Sequence, residues 1–180
     1  VVASEIKPFE DNVKKEPLIS EEVELKGSPV KKTKLNEAMG TTEWTLKNGI
    51  QVIVKQTPYE ADAINIEAVA DGGAAIFSDE DYYSAQMLSS VMSMSGISKF
   101  SASDLRKQLS GKNARVNVGV GTYQHAIEGT AALKDAETMF QLMYLNFTAP
   151  RFSEDDFATL MQRYDAMLAN QLTNPDFVFG

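Results

Sequence analysis

One histidine, no cysteine and two acidic runs are the residues from which this chain could build chemistry. A protein zinc site takes several nitrogen, sulfur or oxygen ligands. His125 alone would leave carboxylates to supply the rest, a donor set that suits calcium or magnesium better than zinc. A serine–histidine nucleophile pair would also have to use His125, and no Gly-x-Ser-x-Gly elbow accompanies it. His125 lies in an alternating stretch and reads first as a strand-surface residue. Asp79-Glu80-Asp81 and Glu154-Asp155-Asp156 could hold a cation, but each follows a serine, as a helix entry does. Carboxylates in a first helical turn complement the helix dipole, so these runs read as helix starts before they read as sites. Asp71-Gly72-Gly73-Ala74-Ala75 lacks both the Gly-x-Gly-x-x-Gly spacing and a phosphate-binding lysine, which leaves a tight turn feeding the next helix. Met87, Met92 and Met94 recur on one segment, either as core or as a flexible face for apolar peptide.

The elements that would position these residues follow from periodicity. Thr42–Leu46 and Ile50–Lys55 are apolar, β-rich runs around Lys47-Asn48-Gly49, and Asn-Gly favours a hairpin because both residues accept positive φ. Residues 63–70 alternate, with Ile64, Ile66 and Ala68 on one side and Asn65 and Glu67 on the other. Ser78, Ser101 and Ser153 each precede a carboxylate by three residues, the spacing of a capping box, and helical apolar spacing follows each. Ala114, Val116, Val118 and Val120 alternate with Arg115, Asn117 and Gly119 as a half-buried strand. Gly121-Thr122 turns the chain into a second strand over 123–131, and a helix is expected over 133–146, stopped by Thr148-Ala149-Pro150. Consecutive hairpins followed by helix pairs predict an α+β fold, an antiparallel sheet with helices packed on one face.

Composition bounds the partners. The chain has 180 residues, 43% of them hydrophobic, and a net charge of −8, which argues against a nucleic-acid surface and against an anionic membrane. No apolar run approaches the roughly 20 residues that span a bilayer. Residues 1–40 differ from the rest, with Pro8, Pro17 and Pro29 among charges of mixed sign, and read as a connecting arm before a domain over 41–180. Short pieces of the arm, Pro17-Leu18-Ile19 and Val23-Glu24-Leu25, could form isolated strands, and Lys31-Lys32-Thr33-Lys34 reads as solvated linker. The end at Asn174–Gly180 reads as a truncation.

Several segments in order resemble the insulinase or pitrilysin type of zinc metallopeptidase. They are Glu43–Lys55, Gly72-Gly73, Ser95-Gly96, Phe100-Ser101, Leu105, Leu109-Ser110-Gly111-Lys112 and Phe147-Thr148-Ala149-Pro150-Arg151-Phe152, and the resemblance covers about residues 42–175. In the active half of that family the helix after the Gly-Gly turn carries an inverted His-x-x-Glu-His zinc motif. Here Met87, Ser90 and Val91 stand at its first histidine, its glutamate and its second histidine. Thioether, hydroxyl and isopropyl groups neither bind zinc nor activate water. The chain therefore resembles the inactive C-terminal half of a bacterial member, a processing-peptidase-like half-clamshell incomplete at its C-terminus.

The resemblance implies a non-catalytic half of a zinc-dependent metalloendopeptidase that encloses peptide, with catalytic residues and metal ligands both absent from this chain. Zinc would belong to the catalytic N-terminal half of the same polypeptide, which would be the partner, with a peptide as substrate and an envelope or periplasmic location by analogy with bacterial members. The substrate-contacting Arg and Tyr of the family's inactive half do not match Arg163 and Tyr164 in spacing, so substrate-binding residues stay unassigned. Two alternatives stand beside this. One is a structural or assembly homologue of the processing peptidases without proteolytic role. The other is an unrelated module that captures peptide on a sheet edge, with Arg115–Val120 as the candidate edge.

Overall fold

The computed structural model of the chain describes residues 16–173. Within them run β1 (Val30–Asn36), β2 (Thr41–Leu46), β3 (Gln51–Val54), β4 (Ile64–Asp71), α1 (Tyr82–Ser95), α2 (Ala102–Gln108), β5 (Ala114–Val120), β6 (Gln124–Ala131), α3 (Ala136–Thr148) and α4 (Glu154–Thr173). Short 3-10 turns at Ala74–Ile76 and Leu133–Asp135 lead into α1 and α3. The fold is α+β and antiparallel, as the alternation predicts, and its described strands divide into two three-stranded sheets, β1-β2-β3 and β4-β6-β5. The chain separates into two compact units, Ile19–Ala63 and the remainder. The expected C-terminal truncation at Asn174–Gly180 and the first fifteen residues of the expected arm lie outside the described residues.

The smaller unit is the sheet β1-β2-β3. The hairpin β2–β3 turns at Asn48-Gly49 as its sequence requires: Gly49 takes φ 93°, and the Asn48 side-chain oxygen accepts from the Ile50 amide at 3.2 Å. Two readings of the arm are corrected here. Pro17-Leu18-Ile19 and Val23-Glu24-Leu25 form no strand, whereas Lys31-Lys32-Thr33-Lys34 lies in β1, paired with β2. The polar composition hid the strand, but its register brings opposite charges together, since Lys34 faces Glu43 and its ammonium lies 3.2 Å from that carboxylate. Asn36 also donates to Glu43, and this bond first, then Lys34, holds the Glu43 carboxyl below its ordinary value.

In the larger unit, helices α1 and α3 pack on β5, and the core gathers Val91, Ile97, Phe100, Ile127, Met139, Leu142, Leu145 and Leu160. Met139 is completely buried, over the backbone of Gly129. The capping pattern holds for two of three helices. Ser101 accepts from the Asp104 amide at 3.1 Å and Ser153 from the Asp156 amide at 3.3 Å. At α1 the pattern closes the preceding turn instead: Ser78 accepts from the Asp81 amide at 3.3 Å and donates to the Asp81 carboxylate at 2.8 Å, and the helix starts only at Tyr82. The hydroxyl and carboxylate of that pair satisfy each other, and the Asp81 side chain caps nothing. On the side of α3 away from its buried row, Phe140, Tyr144 and Phe147 recur at i, i+4 and i+7 and stay exposed.

Candidate functional site: an open strand edge in an apolar cleft

β6 is central in its sheet, so β4 and β5 are both edges. Backbone bonds at the two ends of the β5–β6 pair set the alternation. Asn113 C=O accepts from the Ala132 amide and the Gly121 amide donates to Gln124 C=O. In an antiparallel ladder, groups that face the partner alternate with groups that face away. The odd residues of β5 therefore bond to β6, and Ala114, Val116, Val118 and Val120 present their N–H and C=O groups to the free side.

Side chains from the helices fix this edge at both ends. At its start, the buried Asp135 carboxylate accepts from the Asn113 amide at 2.8 Å, with the Lys112 ammonium 3.4 Å away. The Asn113 bond and the lysine hold the Asp135 carboxyl below its ordinary value against the opposing effect of burial. At its end, Ser89 of α1 accepts from the Val120 amide at 3.1 Å. The outward groups of Ala114, Val116 and Val118 remain, with no hydrogen-bond partner among the described residues.

A cleft of about 350 Å³ runs along them. Five consecutive residues, Ala114–Val118, line it. Neighbouring strand residues point to opposite faces, so five in a row line one cavity only where it follows the strand's backbone edge. The facing wall is mostly apolar, made by Met92 and Ile97, by Leu105 and Leu109, and by Leu142, with Ser89, Ser93 and Asn146 among them. The volume sits at the small end of ligand sites, about 300–1,000 Å³, room for a short segment of chain. Arg115 stands on this edge, exposed, and makes no ion pair among the described residues.

The positions that sequence reasoning set against a zinc motif lie on α1. Val91 is buried, and Met87 and Ser90 are half-buried. Met87 and Val91 are one helical turn apart, and with Ser90 they offer neither an imidazole nor a carboxylate, so zinc does not fit this turn. Among the described residues no group of three His, Asp or Glu side chains converges as a metal site would require. His125 lies on β6, exposed, and its Nδ1 accepts from the Gly73 amide at 3.2 Å. That bond belongs to a run of four: the amides of Gly72, Gly73, Ala74 and Ala75 donate to Tyr123 C=O, His125, Gly121 C=O and Thr122 C=O. The Gly72-Gly73 turn is thereby stitched to the β5–β6 hairpin, and His125 serves the fold. The methionines of α1 divide: Met92 faces the cleft, while Met87 and Met94 are half-buried outside it.

No family model matches the chain, and no curated protein matches it in sequence. Solved structures do share its fold. The periplasmic protease PqqL from Escherichia coli superposes with a TM-score of 0.80 at 20% identity, over 98% of this chain and 19% of that one. A variant of the ferredoxin protease FusC, solved in complex with Arabidopsis ferredoxin, gives 0.71 at 20% identity, over 91% of this chain and 18% of that one. The chain thus spans about a fifth of the length of these proteins. No described helix is long and apolar enough to cross a membrane. The open edge of β5, fastened by Asp135 and Ser89, is built on the same fold as part of two proteases.

Proposed function

We propose that this chain is a non-catalytic, peptide-holding part of a zinc-dependent metalloendopeptidase of the insulinase type, in which another part of the polypeptide supplies the zinc and the hydrolysis. The carrying observation is the edge of β5, unpaired among the described residues, along a mostly apolar cleft. An extended peptide satisfies those backbone groups by adding a strand, and main-chain hydrogen bonds give such a complex sequence-tolerant affinity. Two further observations support the reading. The fold is that of part of two proteases. The α1 turn that would carry a metal carries Met87, Ser90 and Val91 instead. In this reading residues 1–40 connect the two halves, the catalytic N-terminal half is the partner, and the location is the cell envelope, as for the periplasmic PqqL.

The test has two parts. Incubated alone with unfolded peptides, the chain should cleave none of them, and chelator-sensitive hydrolysis would end the reading. A labelled extended peptide should bind, and Val116→Pro should abolish binding, because it removes an outward N–H and leaves the β5–β6 ladder intact. A peptide methylated at the amide nitrogens that meet Val116 provides the same control without touching the protein.

The exposed row Phe140, Tyr144 and Phe147 favours a second reading, a structural homologue that assembles with a partner and has no part in proteolysis. Retained peptide binding by a variant with all three aromatics changed to polar residues separates the two.

A further inference from the structure

Resting on the reading of β5 as a peptide-holding edge, we infer that the cleft selects extended segments with apolar side chains at alternate positions and a carboxylate at the position beside Arg115. Cross-strand pairs in a sheet share a face. A peptide residue opposite Val116 or Val118 must therefore point where those side chains point, toward the helices. There it meets Met92, Ile97, Leu105, Leu109 and Leu142, which outnumber the polar Ser89, Ser93 and Asn146 of the same wall. A residue opposite Arg115 or Asn117 points to the solvent face instead. Arg115 has no ion-pair partner there among the described residues, and its β6 neighbour across the ladder is the uncharged Thr130. Glu128 lies diagonally across the ladder on the same face but forms no ion pair with it, so a carboxylate placed opposite on the added strand would be the first to pair with that guanidinium.

The register is limited as well. The Ser89 hydroxyl occupies the Val120 amide, so an added strand finds a free outward N–H and C=O together only at Ala114, Val116 and Val118. The recognised unit is a five-residue stretch with apolar first, third and fifth residues and an acidic residue second from the end that meets Ala114, whichever way the strand runs. A segment without alternation would press a polar side chain against the leucines or leave an apolar one in water.

Binding of fluorescent peptides to the 180-residue chain tests this. The probes are Val-Glu-Val-Ser-Val and its reverse order Val-Ser-Val-Glu-Val within a Gly-Ser frame, a permutation with the three valines consecutive, versions with Lys for Glu, and versions methylated on the backbone nitrogens facing β5. The alternating peptide should bind about tenfold or more tightly than the permuted one, since at least one valine then loses its burial. The Glu-to-Lys peptide should bind several-fold more weakly, and Arg115→Glu should reverse that preference without changing the fold.

Equal binding of the alternating and permuted peptides, with the methylated one still excluded, would overturn the selectivity and leave the edge reading in place. Undiminished binding of the methylated peptide, or no binding of any probe, would overturn the edge reading and the selectivity with it. Binding that appears only after residues 1–15 are removed would assign the cleft to the chain's own N-terminal segment and overturn the proposal.

Discussion

The buried carboxylate of Asp135 accepts the backbone amide of Asn113 at 2.8 Å, and so joins the entry of α3 to the first residues of the exposed edge strand. Its carboxyl is held below the ordinary value by that amide and by Lys112. A group depressed in the folded chain contributes stability that is fully present above its unfolded value and is lost as pH falls through the folded one. The thermal midpoint of Asp135→Asn should therefore fall below that of the parent at neutral pH. The gap should close as pH drops through about 4 and below, where the unfolded aspartate protonates. A gap that stayed constant with pH would contradict the electrostatic account.

Gly73 and Gly40 take nearly the same backbone angle, φ 65° and 63°, in opposite surroundings. A methyl at Gly40 meets nothing within 4 Å, whereas one at Gly73 would lie 2.5 Å from Gly121 C=O and 2.6 Å from the Gln124 amide. Gly40→Ala should cost about 1–2 kcal/mol for the left-handed conformation alone. Gly73→Ala should cost clearly more, because the turn stitched to the hairpin must open. Similar denaturation midpoints for the two variants would show that the close approach at Gly73 carries no energetic weight.

Met139 is, among the described residues, the largest side chain with no exposed surface, and its sulfur would lie 2.9 Å from a methyl at Gly129. Met139→Ala leaves a void in the helix–sheet interface and should destabilise the chain by about 2–5 kcal/mol. Gly129→Ala should also destabilise, by overpacking the same contact. Chemical denaturation of the two single variants and the double variant would reveal the coupling, and strict additivity would argue against a shared contact.

Ser89→Ala removes the acceptor of the Val120 amide. The expected loss is about 0.5–1.5 kcal/mol, the net worth of one hydrogen bond. Hydrogen exchange gives the sharper readout: Val120 should exchange faster in the variant, while Gly119, bonded to β6, should hardly change. Equal acceleration at both sites would mean that the hydroxyl stabilises the whole hairpin instead of closing the end of the edge.

Much of the architecture could be read from particular residues. Val116, Val118 and Val120 announce β5 by strict alternation, and Ser101 and Ser153 announce two helix starts that their hydroxyls indeed cap. Ser78 carries the same pattern and its hydroxyl also accepts from the Asp81 amide, but the pair closes a turn that ends just before α1, and the pattern does not say whether a turn or a helix will follow it. Lys31–Lys34 hid a strand whose support is a cross-strand carboxylate nine residues from Lys34. The third reading already offered Arg115–Val120 as an edge, and the structure places it there. The cleft itself was not legible, since Leu105, Leu142 and Met92 reach it only through the order β4-β6-β5 and the packing of three helices. His125 and Gly73 lie far apart in the chain, and nothing local foretold their hydrogen bond.

The sheet order also dictates a schedule for the newborn chain. Ile64 must wait for Ala131, its ladder partner, while α1, α2 and the whole of β5 leave the ribosome first. At about 5–20 residues per second that delay lasts seconds. Through that interval β4 has no described neighbour to bond with, so its backbone groups stay open to chaperone capture during synthesis.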